Sequence, residues 1–480
     1  MLCKKKFLIA IFLSTFVFLS AKELSVSKKI DEDLEYLYKY WEQGYVAYDE
    51  ARENGLNLEK NIKKIKRLYK KQVRFSKKNN PQNVLYENGI DKYSLGVLIQ
   101  SLTFDKAKIK DKHYVLDAGS ISFGLFSEIP YFSNIYFRIS EDKYVVEYSD
   151  IPEISKNQIY TGDKKNLVKS VFNDSYLYRF VCFSKKNIKT TSISIEDKEI
   201  EIPIRKDFYQ IEDKSFYYET SDKSIYIKMP TCVFNNNEEY NHFRKLLEEI
   251  YKVNKQNVII DFRNNNGGLQ KYPYELLQAV FLNNNDSENN RFNHIIQSVE
   301  NGKKILKSAL IQEKLFDYSK DYFLATDEEK NLLSSDFSDF KKNNTRKVIF
   351  NHNTNLINIQ RLKSRNDSTV YILLNNTTAS ATESAILLCK VAFNNNVILI
   401  GENSSGCMDF GGYFDYVLPN SKITIGLSYI DFRNSYFVKN AQIYHGDIKG
   451  IFPDLWITSD ELGKTLSYLL KDENILYFIK

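Results

Sequence analysis

The spacing of apolar positions changes along the 480-residue chain, and the changes divide it. A basic cluster, Lys4–Lys6, leads into an apolar run over 7–20. From about 25 to 104, Leu34, Leu37, Tyr38 and Trp41 recur at helical spacing, and a second helix is expected after the Asn-rich break at 54–57. From 114 to 218 the texture shifts to short β-like runs at 135–139, 144–148, 176–183 and 193–204, which predict a small β-rich module.

Beyond 224, strands and helices alternate. Strands are expected at 225–229, 258–260, 370–374 and 397–400. Phe243, Leu246, Leu247 and Ile250 mark one face of a helix that the Asn run at 235–237 can cap, and another helix runs from Ser380 to about Phe393. Strand–helix–strand succession predicts a parallel sheet with helices on its faces. The stretch 283–367 is polar, rich in Asn and Lys and weakly patterned, so it reads as an insertion. The expected divisions are 1–21, 22–113, 114–218 and 219–480, with no internal repeat.

Residues 1–21 have the layout of a secretory signal: a basic start, a 14-residue apolar run too short to span a bilayer as a helix, and Leu19-Ser20-Ala21 as a cleavage site. The expectation is an exported protein, periplasmic or extracellular, with no integral membrane domain after cleavage. Removing that segment takes the charge from 67 − 61 = +6 to 64 − 61 = +3. So small a balance gives no electrostatic case for nucleic acid, and the basic runs at 60–71 and 185–189 read as solvated faces. Aromatic residues at 14% exclude a disordered chain, and 18 Gly with 8 Pro exclude collagen-like and linker-like architectures. Cys182, Cys232, Cys389 and Cys407 are widely spaced and show neither a disulfide framework nor a zinc pattern.

Two turns carry candidate chemistry. Residues 261–268 read Asp-Phe-Arg-Asn-Asn-Asn-Gly-Gly directly after a buried strand, and the paired Gly267 and Gly268 allow backbone N–H groups to face a ligand. Residues 375–383 read Asn-Asn-Thr-Thr-Ala-Ser-Ala-Thr-Glu between a strand and a helix. A Ser at a helix N-terminus sits among unpaired N–H groups at the positive end of the dipole, which suits a nucleophile whose reaction makes an oxyanion. Each turn also has a plain structural reading, a tight strand-to-helix turn for the first and an N-cap for the second.

Together with Ile400-Gly401-Glu402-Asn403-Ser404-Ser405-Gly406 and Gly450-Ile451-Phe452-Pro453-Asp454, these turns resemble the motifs of the tail-specific (carboxyl-terminal processing) serine protease family. The resemblance covers about 224–457. It implies a crotonase-like α/β catalytic domain, hydrolysis of peptide bonds in a peptide or protein substrate, and no metal or organic cofactor. It casts Ser380 as nucleophile, with the N–H of Ala381 and one from Gly267 or Gly268 as the oxyanion hole. The β-rich module stands where family members carry a PDZ-like domain.

One position departs from the pattern. The processing branch places its Lys base directly after the second Gly of Gly-Glu-x-x-x-Gly, and this chain has Cys407 there. A thiol cannot replace a desolvated Lys as proton acceptor. The chain is therefore closer to the tricorn-core-like branch, which uses a His in an Asp-x-His context ahead of the β-rich module. Asp111-Lys112-His113 stands at that place, and Asp447 stands where that branch carries a Glu. The expected triad is Ser380, His113 and Asp447, with His445 as the rival base and a Cys407–His445 thiol pair as a further option. His242, His294 and His352 are expected at the surface. Activity is expected to fall as pH drops through the ordinary His range, about 6–7. The alternative to an active enzyme is a degenerate, inactive peptide-binding protein on the same fold. An acyl hydrolase of the usual α/β type is disfavoured because no Gly-x-Ser-x-Gly surrounds Ser380.

Overall fold

The computed structural model describes residues 25–79, 86–207, 215–282, 286–321, 346–350, 368–393, 397–440 and 442–479. The signal-like segment 1–21, His352 and much of the polar stretch lie outside these residues. The described residues form two compact units, those within 1–109, 115–123 and 414–427, and those within 110–114, 124–413 and 428–480.

The first unit is mainly helical. Ser25 caps the helix Val26–Gly44, which buries Leu34, Leu37 and Trp41 along one stripe. A short helix, Tyr48–Glu53, ends at Gly55, whose φ of +96° few other residues adopt. The helix Leu58–Asn79 buries Leu58, Ile65 and Tyr69, while Lys63, Lys64, Lys66, Lys70 and Lys71 face solvent. The unit is completed by the helix Lys92–Leu102 and by an antiparallel pairing of 424–426 with Val115–Asp117.

In the second unit, the β-rich part is built from antiparallel hairpins. Ile129–Ser140 pairs with Lys143–Ser149 and with Ser175–Ser184, which in turn pairs with Leu167–Phe172; Thr190–Ile195 pairs with Lys198–Pro203. Three of the connections are two-residue turns, Glu141-Asp142, Asn173-Asp174 and Glu196-Asp197, with every φ between +46° and +63°. Positive φ at both central residues is the geometry that matches strand twist, and Asn and Asp tolerate it best. Phe137, Val146, Ile193, Ile195 and Ile202 fill the space beneath. Arg179, fully buried, is held by Glu461 at 2.7 Å and by the carbonyl of Ser133.

The central sheet runs Tyr217–Thr220, Ser224–Lys228, Asn257–Asp261, Thr369–Leu374, Val397–Gly401 and Leu455–Trp456. The first pair is antiparallel and every later pair parallel. Strand periodicity sends alternate side chains to opposite faces. Ile225, Ile227, Val258, Ile260, Val370, Ile372, Val397 and Leu399 pack with the helices Asn237–Lys252, Lys271–Phe281 and Ala381–Phe393. Tyr226, Ile259, Tyr371, Leu373 and Ile400 pack instead with Leu462, Leu466 and Leu470 of the helix Ser459–Leu470. A strand such as Asn257–Asp261, buried at every position, therefore reads as a continuous apolar run.

Part of the polar stretch is not peripheral. Asp286–Val299 is a helix, and its Phe292, Ile295 and Val299 join the main core. Their i, i+3, i+7 spacing is hidden in the sequence by the polar residues between them. Among the described residues no helix is long and apolar enough to cross a membrane, and Cys182, Cys232, Cys389 and Cys407 are free thiols.

Candidate active site

Three adjacent parallel strands end at Asp261, Leu374 and Gly401, and the loops that follow each of them converge. Loops at the carboxyl ends of parallel strands form the natural crevice of such a sheet. The first loop is anchored by Asp261. Its buried carboxylate accepts bonds from Arg263 Nε and Nη2 at 2.9 and 2.6 Å and from Tyr226 Oη at 2.6 Å, with Lys228 Nζ at 2.9 Å. Burial alone would raise its pKa, but Arg263 and Lys228 outweigh that and hold it well below the usual carboxylate range. Asn265, buried in the same loop, donates to Met229 O and accepts the N–H of Gly267 at 2.9 Å. Ala379 N donates back to Asn265 O at 2.9 Å, which ties the first loop to the second.

Gly267 is packed against the second turn. A Cβ on it would lie 2.7 Å from Ala379 O, 2.9 Å from Ser380 Cβ and 3.1 Å from Ala381 N, and its φ is +91°. Gly268, at φ +133°, bridges to Cys232, whose carbonyl a Cβ would meet at 2.4 Å. Sequence leaves the choice of oxyanion donor open between the two. In the folded chain the Gly267 N–H is already bonded to Asn265, while among the described residues no acceptor is bonded to the N–H of Gly268 or of Ala381.

Ser380 immediately precedes the helix Ala381–Phe393 and has φ +53°, a left-handed conformation uncommon for a residue with a side chain. Its backbone N–H donates to Glu383 Oε2 at 2.9 Å, one half of a Ser-x-x-Glu capping box. Glu383 does more than cap. Its Oε1 accepts from Gly406 N at 2.8 Å and from the Ser404 hydroxyl, and its Oε2 accepts from Cys407 N at 2.9 Å. This buried carboxylate thus joins the serine turn to the third loop. Burial pushes its pKa up, against the lowering effect of the Ser404, Gly406 and Ser380 donors. In the sequence Glu383 stands only as a motif letter, although the Ser-x-x-Glu spacing is the available signal.

His113 Nε2 lies 3.1 Å from Ser380 Oγ. The imidazole is flanked by Cys407 Sγ, 3.4 Å from Nδ1 and 3.5 Å from Nε2, and by the Tyr413 ring with centroids 6.2 Å apart. Asp111 Oδ1 accepts the backbone N–H of His113 at 2.9 Å and lies 3.9 Å from Nδ1, which is ion-pair range but too long for a hydrogen bond. Burial, then the adjacent Lys112, lower the His113 pKa to about 4. Cys407 is a neutral thiol: burial first, then Asp447 and Glu383, push it well above the ordinary value.

Asp447 does not meet the imidazole. Its Oδ1 accepts from Met408 N and Asp409 N, both at 2.9 Å, and from Tyr444 Oη at 2.7 Å, while Oδ2 accepts from Lys112 N at 3.1 Å. The carboxylate therefore steadies the backbone beside His113, one residue short of the ring. Burial and then Asp409 raise its pKa well above the usual range. His445, the rival base, is exposed and packs at a tilt on Phe452 with ring centroids 4.0 Å apart, and the Cys407 thiol faces His113.

Residues 223–434 match the family described as Peptidase family S41. A search of curated proteins found no match. Among solved structures, mature CPAF complexed with lactacystin has 12% identity, covering 94% of this chain and 99% of its own, at a TM-score of 0.38. The photosystem II D1 C-terminal processing protease has 11% identity, covering 94% and 99%, at 0.35. The tricorn protease has 14% identity, covering 93% of this chain and 37% of its own, at 0.34.

Proposed function

Through residues 223–434 this chain belongs to peptidase family S41, and from that premise we propose that it is an exported serine endopeptidase. In this reading Ser380 is the nucleophile and His113 the base, set in a crotonase-like catalytic domain. The observation that carries the reading is the 3.1 Å approach of His113 Nε2 to Ser380 Oγ, on a serine held at φ +53°.

The chemistry follows from the contacts. For Nε2 to accept the Ser380 proton, the neutral ring must carry its own proton on Nδ1, facing the Cys407 sulfur, a weak acceptor. Proton transfer lets Oγ add to the scissile carbonyl and leaves an imidazolium, which the Asp111 carboxylate at 3.9 Å stabilises through space. The developing oxyanion is received by the N–H groups of Gly268 and Ala381. His113 then returns the proton to the leaving amine, and water repeats the cycle on the acyl-enzyme. Asp447 acts on the loop backbone rather than as the third member of the triad.

A fluorophosphonate probe tests this. Labelling of the parent that disappears in Ser380→Ala and falls steeply in His113→Gln supports the peptidase, as does peptide turnover exceeding ester turnover. One observation favours the second reading, a peptide-binding protein that does not hydrolyse: among the described residues no carboxylate lies within hydrogen-bond distance of the His113 ring. A folded parent that binds peptides, with no Ser380-dependent labelling or cleavage, would establish that reading instead.

A further inference from the structure

Lys112 stands between Asp111 and His113, in the charged stretch Lys110-Asp111-Lys112. The structure buries most of it. Its ammonium donates to Ser405 O at 2.6 Å and to the hydroxyls of Ser405 and Ser127, and Ser127 Oγ itself donates to Ser405 O at 2.9 Å. Its backbone N–H is held by Asp447 Oδ2 at 3.1 Å. All the acceptors of the ammonium among the described residues are neutral oxygens. A buried cation is normally paired or extends its tip to water, because leaving water without a counter-charge is costly. This cage supplies hydrogen bonds but, among the described residues, no carboxylate in direct contact with the ammonium.

Among the described residues, the groups that face the neighbouring imidazole are these. Asp111 and Cys407 face the His113 ring at 3.9 and 3.4 Å, Ser380 faces Nε2, and the Tyr413 ring stands at 6.2 Å. Burial lowers the pKa of Lys112 itself, against the raising effect of Cys407, then of Glu383 on the nucleophile helix and Asp447 in the 444–450 turn. Burial raises the pKa of both carboxylates, against the lowering effect of the donors bound to them. A second cation on the residue next to Lys112 is therefore opposed on two counts, desolvation and like charge.

We propose that Lys112 is a positioning residue that sets the pH range of the Ser380–His113 pair: its ammonium, held by Ser127 and Ser405, opposes charge on the neighbouring imidazole and keeps His113 a free proton acceptor into acid. The inference rests on the reading of Ser380 and His113 as nucleophile and base. Its consequence is a peptidase that works below the ordinary His range, with a weaker base at neutral pH.

The experiment follows two readouts in the parent, Lys112→Met and Lys112→Arg: the rate of fluorophosphonate labelling of Ser380 between about pH 3.5 and 8, and the NMR titration of the His113 ring, identified by its loss in His113→Gln. In Lys112→Met the acid limb and the ring titration both move up by about half a pH unit or more, a fall of roughly threefold in rate on that limb. The variant-to-parent ratio then rises with pH, whereas a purely structural defect lowers the rate equally at every pH. Lys112→Arg keeps the parent profile. Coincident ring titrations in parent and Lys112→Met overturn the proposal, as does a parent ring that titrates near 6.5. If Lys112→Met and Lys112→Gln both fail to fold, the ammonium serves stability and the proposal is likewise overturned. A parent that never labels, yet shows the shift in ring titration, refutes the peptidase reading and leaves the effect of Lys112 standing.

Discussion

Replacing Gly267 with Ala tests whether the first loop forms one wall of the oxyanion site. The added methyl would stand 2.7 Å from Ala379 O, 2.9 Å from Ser380 Cβ and 3.1 Å from Ala381 N. Contacts that short are repulsive against backbone, so either the 262–268 loop or the serine turn must move. The φ of +91° adds strain of about 1–3 kcal/mol for a residue with a Cβ. A shift of only a few tenths of an ångström at Ala381 N misdirects one donor, and loss of one such donor lowers turnover by about 100–1,000-fold. The assay is kcat on a peptide substrate, with labelling of Ser380 and thermal unfolding measured alongside. Gly302→Ala is the control. It has a similar φ of +93°, and an added Cβ would meet the backbone of Asn434 and Ser435 rather than the serine turn. Gly302→Ala should lose stability and keep kcat, whereas Gly267→Ala should lose kcat beyond any loss of stability. A folded Gly267→Ala with kcat within about threefold of the parent would refute the oxyanion geometry drawn from the loop.

Other outcomes follow from the same contacts. If His113 acts as the proposed base, its pKa, lowered to about 4 by burial and then Lys112, leaves the ring unprotonated above that value, so kcat/KM should stay level through pH 6–7 and fall only on approach to pH 4; a pH–rate series on the parent decides this. Asp261→Asn removes the negative charge that pairs with buried Arg263 and Lys228 and should destabilise the protein by about 3–5 kcal/mol, read by denaturant unfolding. Glu383→Gln turns an amide NH2 toward two donors that now share one carboxylate oxygen, at about 1–3 kcal/mol for each donor left unsatisfied. Both Tm and the labelling rate of Ser380 should fall together. Cys407 should resist iodoacetamide at neutral pH in the folded protein, since burial keeps it a thiol, and Cys407→Ser should still label at Ser380; mass spectrometry reads both.

Much of the framework is legible from local pattern. The strands Asn257–Asp261 and Thr369–Leu374 are short, largely apolar and flanked by turn residues, so periodicity finds them within a residue or two. The helix Ala381–Phe393 follows its Ser in the same way. Asp286–Val299 escapes such a reading because its apolar stripe is thin and sits in an Asn-rich stretch, where composition masks spacing. The lowered pKa of His113 is beyond reach as well: a titration near 6–7 assumes an open ring, and burial beside Lys112 moves it to about 4.

Residue type and order are enough to nominate Ser380, His113 and the paired glycines, because a helix N-terminus, a positive-φ turn and an Asp-x-His segment each leave a mark within a few residues. Partnership leaves no such mark. That Asp447 holds Lys112 N and not the imidazole, that Asn265 takes the Gly267 N–H and leaves that of Gly268, and that Glu383 gathers donors from a loop well beyond its own helix are all set by how distant segments approach. Hydrogen bonds and buried charges act over a few ångströms of space and are indifferent to separation along the chain. Which atoms satisfy them is decided only when the three strand ends are brought side by side.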